Sequence, residues 1–276
     1  MKARRLATRM VAKVWGRDTL PAPFAAPPAT RIGEIWFEPP PEVPQVLMKY
    51  LFTSEKLSVQ VHPSEANALP GEAGKEECWL VLEADEDARL AIGCAREVSR
   101  AEIAAAARDG TIESLLHWHR ARPGDLFYLP AGTVHAIGPG LALVEVQQTS
   151  DTTFRLYDYG RPRELHLERG LEVAEGIPYA AKHRRSIADG PVLVDGPYFR
   201  LDWIEGAPDE ATLAAYPGAL LALPLVGEIA AKDGSARAGA GECLVVEGLG
   251  SLDFSAAGVT LLTRSAGRRL HGPCST

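Results

Sequence analysis

Short apolar segments set at nearly regular intervals decide the fold class of this chain. From Gln45 onward it runs as QVLMKYLF, KLSVQVHP, CWLVLEA, ARLAIG, DLFYLPAG, LALVEVQQ and TTFRLYDYG, separated by Gly, Pro, Asp and Glu. Each run is strand-length, alternating or apolar, and rich in Val, Leu, Tyr and Phe. Strands at such spacing form a sandwich or barrel. One stretch interrupts them: 99–110 opens on Ser99, a capping residue, and closes on Gly110, so it reads as a helix. Strand texture returns after 190 in GPYFRLDWIEG, ALLALPLVGEIAA, GECLVVEG and GVTLLTRS.

The expected organisation is an N-terminal arm and catalytic barrel over 1–165, a linker over 166–189 and a smaller barrel over 190–276. Residues 21–45 are Pro-rich and read as a folded arm or connector. The last part is poor in metal-type side chains, with His271 its one histidine. Net charge is −7, which argues against nucleic acid or an anionic membrane as partner. No segment approaches the ~20 apolar residues of a membrane span. The basic first ten residues lack the apolar stretch of a secretory signal. Cys78, Cys94, Cys243 and Cys274 form no CxxC pair, which suggests reduced thiols and a cytoplasmic protein.

Residues 124–135 read Gly-x5-Pro-x-Gly-x2-His. A strand over 126–129 runs into a Pro-Ala-Gly turn, and the next strand opens on His135. Upstream, Gln60 and His62 stand at i and i+2 of KLSVQVHP and share one face of a strand. Glu77 precedes the apolar run CWLVLEA. An amide oxygen, two imidazoles and one carboxylate suit a divalent, zinc-like ion with positions left open. His117-Trp-His119 is a second HxH, but it has no carboxylate on a matching element and reads as a pair of rim histidines. Cys78 and Cys94 read as buried strand residues.

KLSVQVHPSEANA, GKEECWLVLEA, the Gly124–His135 motif with its continuation to DTTFRLYDYGR, and the early AKVWGRDTL and IGEIWFE together resemble type I phosphomannose isomerase of the cupin superfamily. The likeness runs in order from about Val14 to Arg163 and is weaker over 190–270. It implies an all-β fold of two cupin (jelly-roll) barrels with few short helices. It also implies a zinc-dependent aldose–ketose isomerase that interconverts mannose 6-phosphate and fructose 6-phosphate. The family's metal ligands fall on Gln60, His62, Glu77 and His135, its active-site arginine on Arg155 and its lysine on Lys75. Ser58 and Lys49 match substrate-lining positions. Two departures stand out: the chain is short, and Gly74 stands where longer members carry a histidine.

Such chemistry needs a base, a stabilised enediolate and an anchored phosphate. Arg155 is permanently charged and serves the enediolate or the phosphate. Lys75 serves either, or carries a proton. Asp151 is the candidate carboxylate base. The expected partner is a small-molecule sugar phosphate, and the expected assembly a monomer or homodimer. Alternatives are the same chemistry on another sugar or sugar phosphate, a non-catalytic sugar-binding cupin, or an iron oxygenase.

Overall fold

The computed structural model describes residues 3–267; His271 and Cys274 lie outside them. The chain divides into two compact units. One comprises Thr8–Phe37 and Leu47–Asp189; the other, the described residues of Met1–Ala7, Glu38–Val46 and Gly190–Thr276. Both are built on antiparallel sheets, and the described helices are short, Arg100–Asp109, Leu167–Val173 and Glu210–Ala215 among them. The expected all-β class is therefore what the chain forms. No helix among the described residues is long and apolar enough to cross a membrane.

The unit that carries the motifs holds two sheets. The larger runs in the order Arg184–Ser186, Asp125–Leu129, Glu77–Ala84, Leu141–Gln148, Val46–Thr53, Ile32–Phe37 and Thr8–Arg17. The smaller runs Phe154–Tyr157, Val59–Val61, His135–Ile137, Arg89–Cys94 and Leu116–Arg120. Trp79, Phe127 and Leu143 of the larger sheet and Leu90, Ile92 and Ile137 of the smaller one share a single core cluster. A second cluster joins Val59, Val61, Ala91 and Ala136 to Ile103 and Val173, on the first two helices. The smaller sheet thus packs apolar side chains on both faces, with Gln60, His135 and Arg155 as polar interruptions on its face toward the larger sheet.

Residues 99–110 behave as their sequence suggests. The Ser99 hydroxyl accepts from the Glu102 amide, and the Glu102 carboxylate accepts from the Ser99 amide, closing a capping box. Gly110 stops the helix at φ 83°, a conformation that side chains disfavour. The stretch 166–189, expected as a linker, carries helix Leu167–Val173 and strand Arg184–Ser186 on the larger sheet's edge. In the other unit, Ala219–Ala231 pairs with four strands. It packs Leu220, Ala222 and Ile229 with Tyr216, Leu244, Val246 and Leu262.

Candidate metal centre and its cavity

Side chains alternate along a strand, so one face of each strand in a sheet lines the same space. Arg9, Val11, Lys13 and Trp15 line one cavity of about 420 Å³ with Glu34, Trp36, Lys49 and Leu51. Glu77, Trp79, Glu145 and Gln147 continue the wall. All are at i and i+2 positions of consecutive strands in the larger sheet. Gln60 and Arg155 add the smaller sheet's contribution, and Ser58, Lys75, Ser150, Asp151 and Arg163 come from connecting segments.

Register explains why distant sequence motifs meet. Gln60 lies opposite His135 on one neighbour and opposite Arg155 on the other. Directly opposed residues of antiparallel strands share a face. Glu77 lies opposite Leu129 on one side and Gln147 on the other. The valines of Val59–Val61 meet the helix-side core, so Gln60 faces the other way.

His62, Glu77 and His135 each offer a donor atom, and these atoms lie within 4.8 Å of one another. All three residues are buried. His62 Nδ1 is 2.9 Å from the Thr152 carbonyl, and His135 Nδ1 is 2.9 Å from the Thr133 carbonyl. A carbonyl only accepts, so each Nδ1 carries the proton and each Nε2 carries the lone pair. The two Nε2 atoms stand 3.5 and 3.6 Å from the Glu77 carboxylate. Burial, with Lys75 next, holds His62 well below the usual imidazole range, and burial also lowers His135. Both rings are therefore neutral and ready to donate electron pairs.

The remaining groups tune this focus. Lys75 Nζ is 2.9 Å from Glu77 Oε2 and 3.1 Å from His62 Nε2, so a positive charge already sits where the donors converge. Burial alone would raise the Glu77 carboxyl; Lys75 is the principal charge that outweighs it and holds the group well below the carboxylate range. The Gln60 amide donates to His135 Nε2 at 3.2 Å, while its oxygen accepts from Ser58 at 3.1 Å. Half a turn of that amide presents the oxygen to the focus instead. Neutral imidazoles, an ionised carboxylate and an adjacent amide fit a divalent ion of mixed N/O preference.

Arg155 is held by its Nη1 bond to the Glu164 carbonyl, 2.6 Å, and its Nε has no partner. Burial and neighbouring Arg163 lower its pKa. Asp151 lines the cavity but is exposed. Lys49 is buried 2.8 Å from Glu145 and 4.0 Å from Glu34. These two carboxylates keep Lys49 charged against the cost of burial, and its pKa is raised. Ser58 and Lys49 thus both reach the cavity wall, each already engaged with a neighbour.

Sequence reasoning passed over Glu145, Gln147, Glu34 and Trp36. A partial signal was present for one of them: Glu145 interrupts the apolar run LALVEVQQ, and ionisable residues rarely occupy buried strands unless paired. The structure buries Leu141–Gln148 at every position. Glu145 and Gln147 fall on the alternate positions that share the face of Glu77. His117 and His119 pack their rings with centroids 4.1 Å apart. His117 is exposed, while His119 is half-buried and packs against Phe127 and Tyr179.

No family model matches the chain. Over 147 residues it is 43% identical to the mannose-6-phosphate isomerase ManA of Bacillus subtilis, a match covering 50% of this chain and 46% of that protein. Over 166 residues it is 42% identical to the mannose-6-phosphate isomerase of Streptococcus mutans, covering 56% and 52%. The matched region spans about half the length of these curated relatives. Among solved structures, the mannose 6-phosphate isomerase of B. subtilis superposes with a TM-score of 0.76 at 24% identity, covering 96% of this chain and all of that one. An alanine variant of the Salmonella typhimurium phosphomannose isomerase gives 0.70 at 15%, covering 96% of this chain. The chain resembles the mannose-6-phosphate isomerases in sequence over about half its length, and it has their cupin-type all-β fold over nearly all of it.

Proposed function

We propose that this chain is a zinc-dependent aldose–ketose isomerase that interconverts mannose 6-phosphate and fructose 6-phosphate through an enediol. The observation that carries the reading is the convergence of His62, Glu77 and His135 beside a cavity lined by Lys75, Gln60 and Arg155. Likeness to curated mannose-6-phosphate isomerases over about half the chain supports it.

The reaction removes a proton from C2 of the aldose and returns one to C1, while a hydroxyl proton passes from O2 to O1. Gln60, His62, Glu77 and His135 would hold the ion, which supplies Lewis acidity to the sugar oxygens when bound. Arg155 brings a permanent charge to the developing enediolate or to the phosphate. Lys75 supplies a second cation and a movable proton. Ser58 and Lys49 line the substrate's path. Asp151 is the proposed proton acceptor. Glu145 is a second candidate for that role: it is buried in the same wall beside Glu77, and burial and the Glu77 charge raise its pKa.

The same reading puts the enzyme in the cytoplasm as a monomer or homodimer. Cys78, Cys94 and Cys243 are free and buried, as expected of structural thiols.

A coupled assay for fructose 6-phosphate, run on metal-loaded protein and on a chelated control, tests the proposal. Turnover that a chelator abolishes and zinc restores is the expected result. No turnover by protein that holds stoichiometric zinc overturns it. Activity would then be sought on other sugar phosphates, and after that binding without turnover.

A further inference from the structure

Six buried side-chain polar atoms among the described residues lack a hydrogen-bond partner, and four belong to residues lining one cavity: Glu77 Oε2, Glu145 Oε1, Gln147 Oε1 and Arg155 Nε. Folded interiors pair nearly all such atoms, because an unpaired one retains its full desolvation cost. The two carboxylate oxygens lie in ion pairs, facing lysines at 2.9 and 2.8 Å, so Gln147 Oε1 and Arg155 Nε are the atoms that mark a surface completed by something it binds. Gln147 Oε1 is the neutral acceptor among them.

Its orientation follows from hydrogen-bond chemistry. Gln147 Nε2 donates to the Gln148 carbonyl at 2.7 Å and to the Ser150 carbonyl at 2.9 Å. Two carbonyls can only accept, so the amide nitrogen must occupy that end and the oxygen the other. The two bonds also hold the rotamer, which removes an ordering cost on binding. Gln147 lies directly opposite Glu77 across the strand pair and shares its face. The same cavity is lined by the donors Lys49, Lys75, Arg155 and Arg163 and by the carboxylates of Glu34, Glu77, Glu145 and Asp151. An amide oxygen held in this orientation only accepts, so it cannot take an ionised phosphate oxygen and, of a sugar phosphate's groups, selects an O–H.

We propose that Gln147 is a specificity-determining residue, whose Oε1 accepts a hydrogen bond from one hydroxyl of the bound sugar at the Glu77 end of the cavity. This rests on the reading of the site as a sugar-phosphate isomerase. A buried acceptor of this kind discriminates against a ligand lacking the hydroxyl by about 10- to 100-fold.

The test is a competition panel: the parent hexose 6-phosphate and analogues that each lack one hydroxyl between C1 and C4. It is run on the zinc-loaded wild type and on Gln147→Met. In the wild type one analogue should bind about 10- to 100-fold more weakly than the parent. In Gln147→Met the parent should fall to the level of that analogue, which itself should not weaken further. Metal content and thermal midpoint of the variant, matched to the wild type, exclude misfolding as the cause. A wild type that binds every analogue like the parent overturns the assignment without any variant. Unchanged ratios in Gln147→Met overturn it while leaving the isomerase intact. A wild type that binds no hexose phosphate removes the isomerase reading, and this assignment with it.

Discussion

A Cβ on Gly74 would lie 2.4 Å from the backbone nitrogen of Glu65. The same atom would stand 2.6 Å from the carbonyl carbon of Ser64. The backbone of the 64–65 turn thus occupies the space that any side chain at this position requires. The close approach lets the Lys75 amide donate to the Pro63 carbonyl at 2.9 Å. That bond ties the residue next to the focus to the segment that begins with His62.

Gly74→Ala is therefore expected to force the two segments apart. Overpacking of this kind costs about 1–3 kcal/mol, readable as a lower urea midpoint at unchanged slope. Zinc affinity should drop as well, because Lys75 and His62 shift relative to each other. A variant with the melting point and zinc affinity of the wild type would mean that the turn yields without consequence.

Lys49 and Glu145 form a buried pair whose partners differ in what they gain. The carboxylates of Glu145 and Glu34 raise the Lys49 pKa despite burial. At Glu145, burial and the Glu77 charge outweigh Lys49, so its carboxyl is raised rather than lowered. Removing one partner leaves the other charge buried alone, a loss of about 3–5 kcal/mol. Lys49→Met should lose stability on this scale by chemical denaturation, and Lys49→Met combined with Glu145→Leu should recover most of it. The raised Lys49 pKa means that its contribution is complete below the unfolded value of 10.5 and fades as pH climbs through the folded value. The wild type should thus soften above about pH 10.5, and the double variant should lack that alkaline limb. Equal alkaline curves for both proteins would remove Lys49 as its source.

Much of this is readable in the amino-acid sequence alone. The strands, the capped helix and the focus of His62, Glu77 and His135 follow from local rules: alternation, a Ser–Gly bracket and a Pro-Ala-Gly turn. The far wall of the cavity was not readable, because it depends on register between strands remote in sequence. Nothing local says that Gln147 will stand opposite Glu77, or that Trp36 will stand opposite Lys49. Glu34 and Glu145 both reach Lys49, yet they lie 111 positions apart by their own numbers. Gly74 was visible as a departure, but its cause is a backbone contact that only the fold supplies.

The capping box predicts an acid-sensitive helix. The Ser99 amide and hydroxyl and the Arg96 guanidinium hold the Glu102 carboxyl down, at about 2. A depressed carboxylate contributes above its unfolded pKa and loses that contribution as pH falls through the folded value. Amide-exchange protection of Arg100–Asp109 should therefore weaken between about pH 4.5 and 2 while the strand amides of Leu141–Gln148 stay protected. Ser99→Ala should cost about 1 kcal/mol and flatten this local pH dependence. Uniform loss of protection across the unit would mean that the helix does not respond separately.

Metal removal gives the last expectation. Neutral His62 and His135 and ionised Glu77 favour cation binding in the folded state, and the unfolded chain does not bring them together. A ligand at 100 times its Kd then adds about 2.7 kcal/mol to stability. For a unit of this size that corresponds to roughly 5–10 °C in Tm, which a chelator should remove and added zinc restore. Glu77→Gln should melt below even the chelated wild type, because Lys75 loses the carboxylate 2.9 Å away and remains buried. The variant should also show no response to zinc, since the only charged donor at the focus is gone. Calorimetric scans with and without chelator decide the matter. A wild-type Tm that ignores both chelator and zinc would mean that these three residues hold no ion, and that the Lys75–Glu77 pair is there for stability alone.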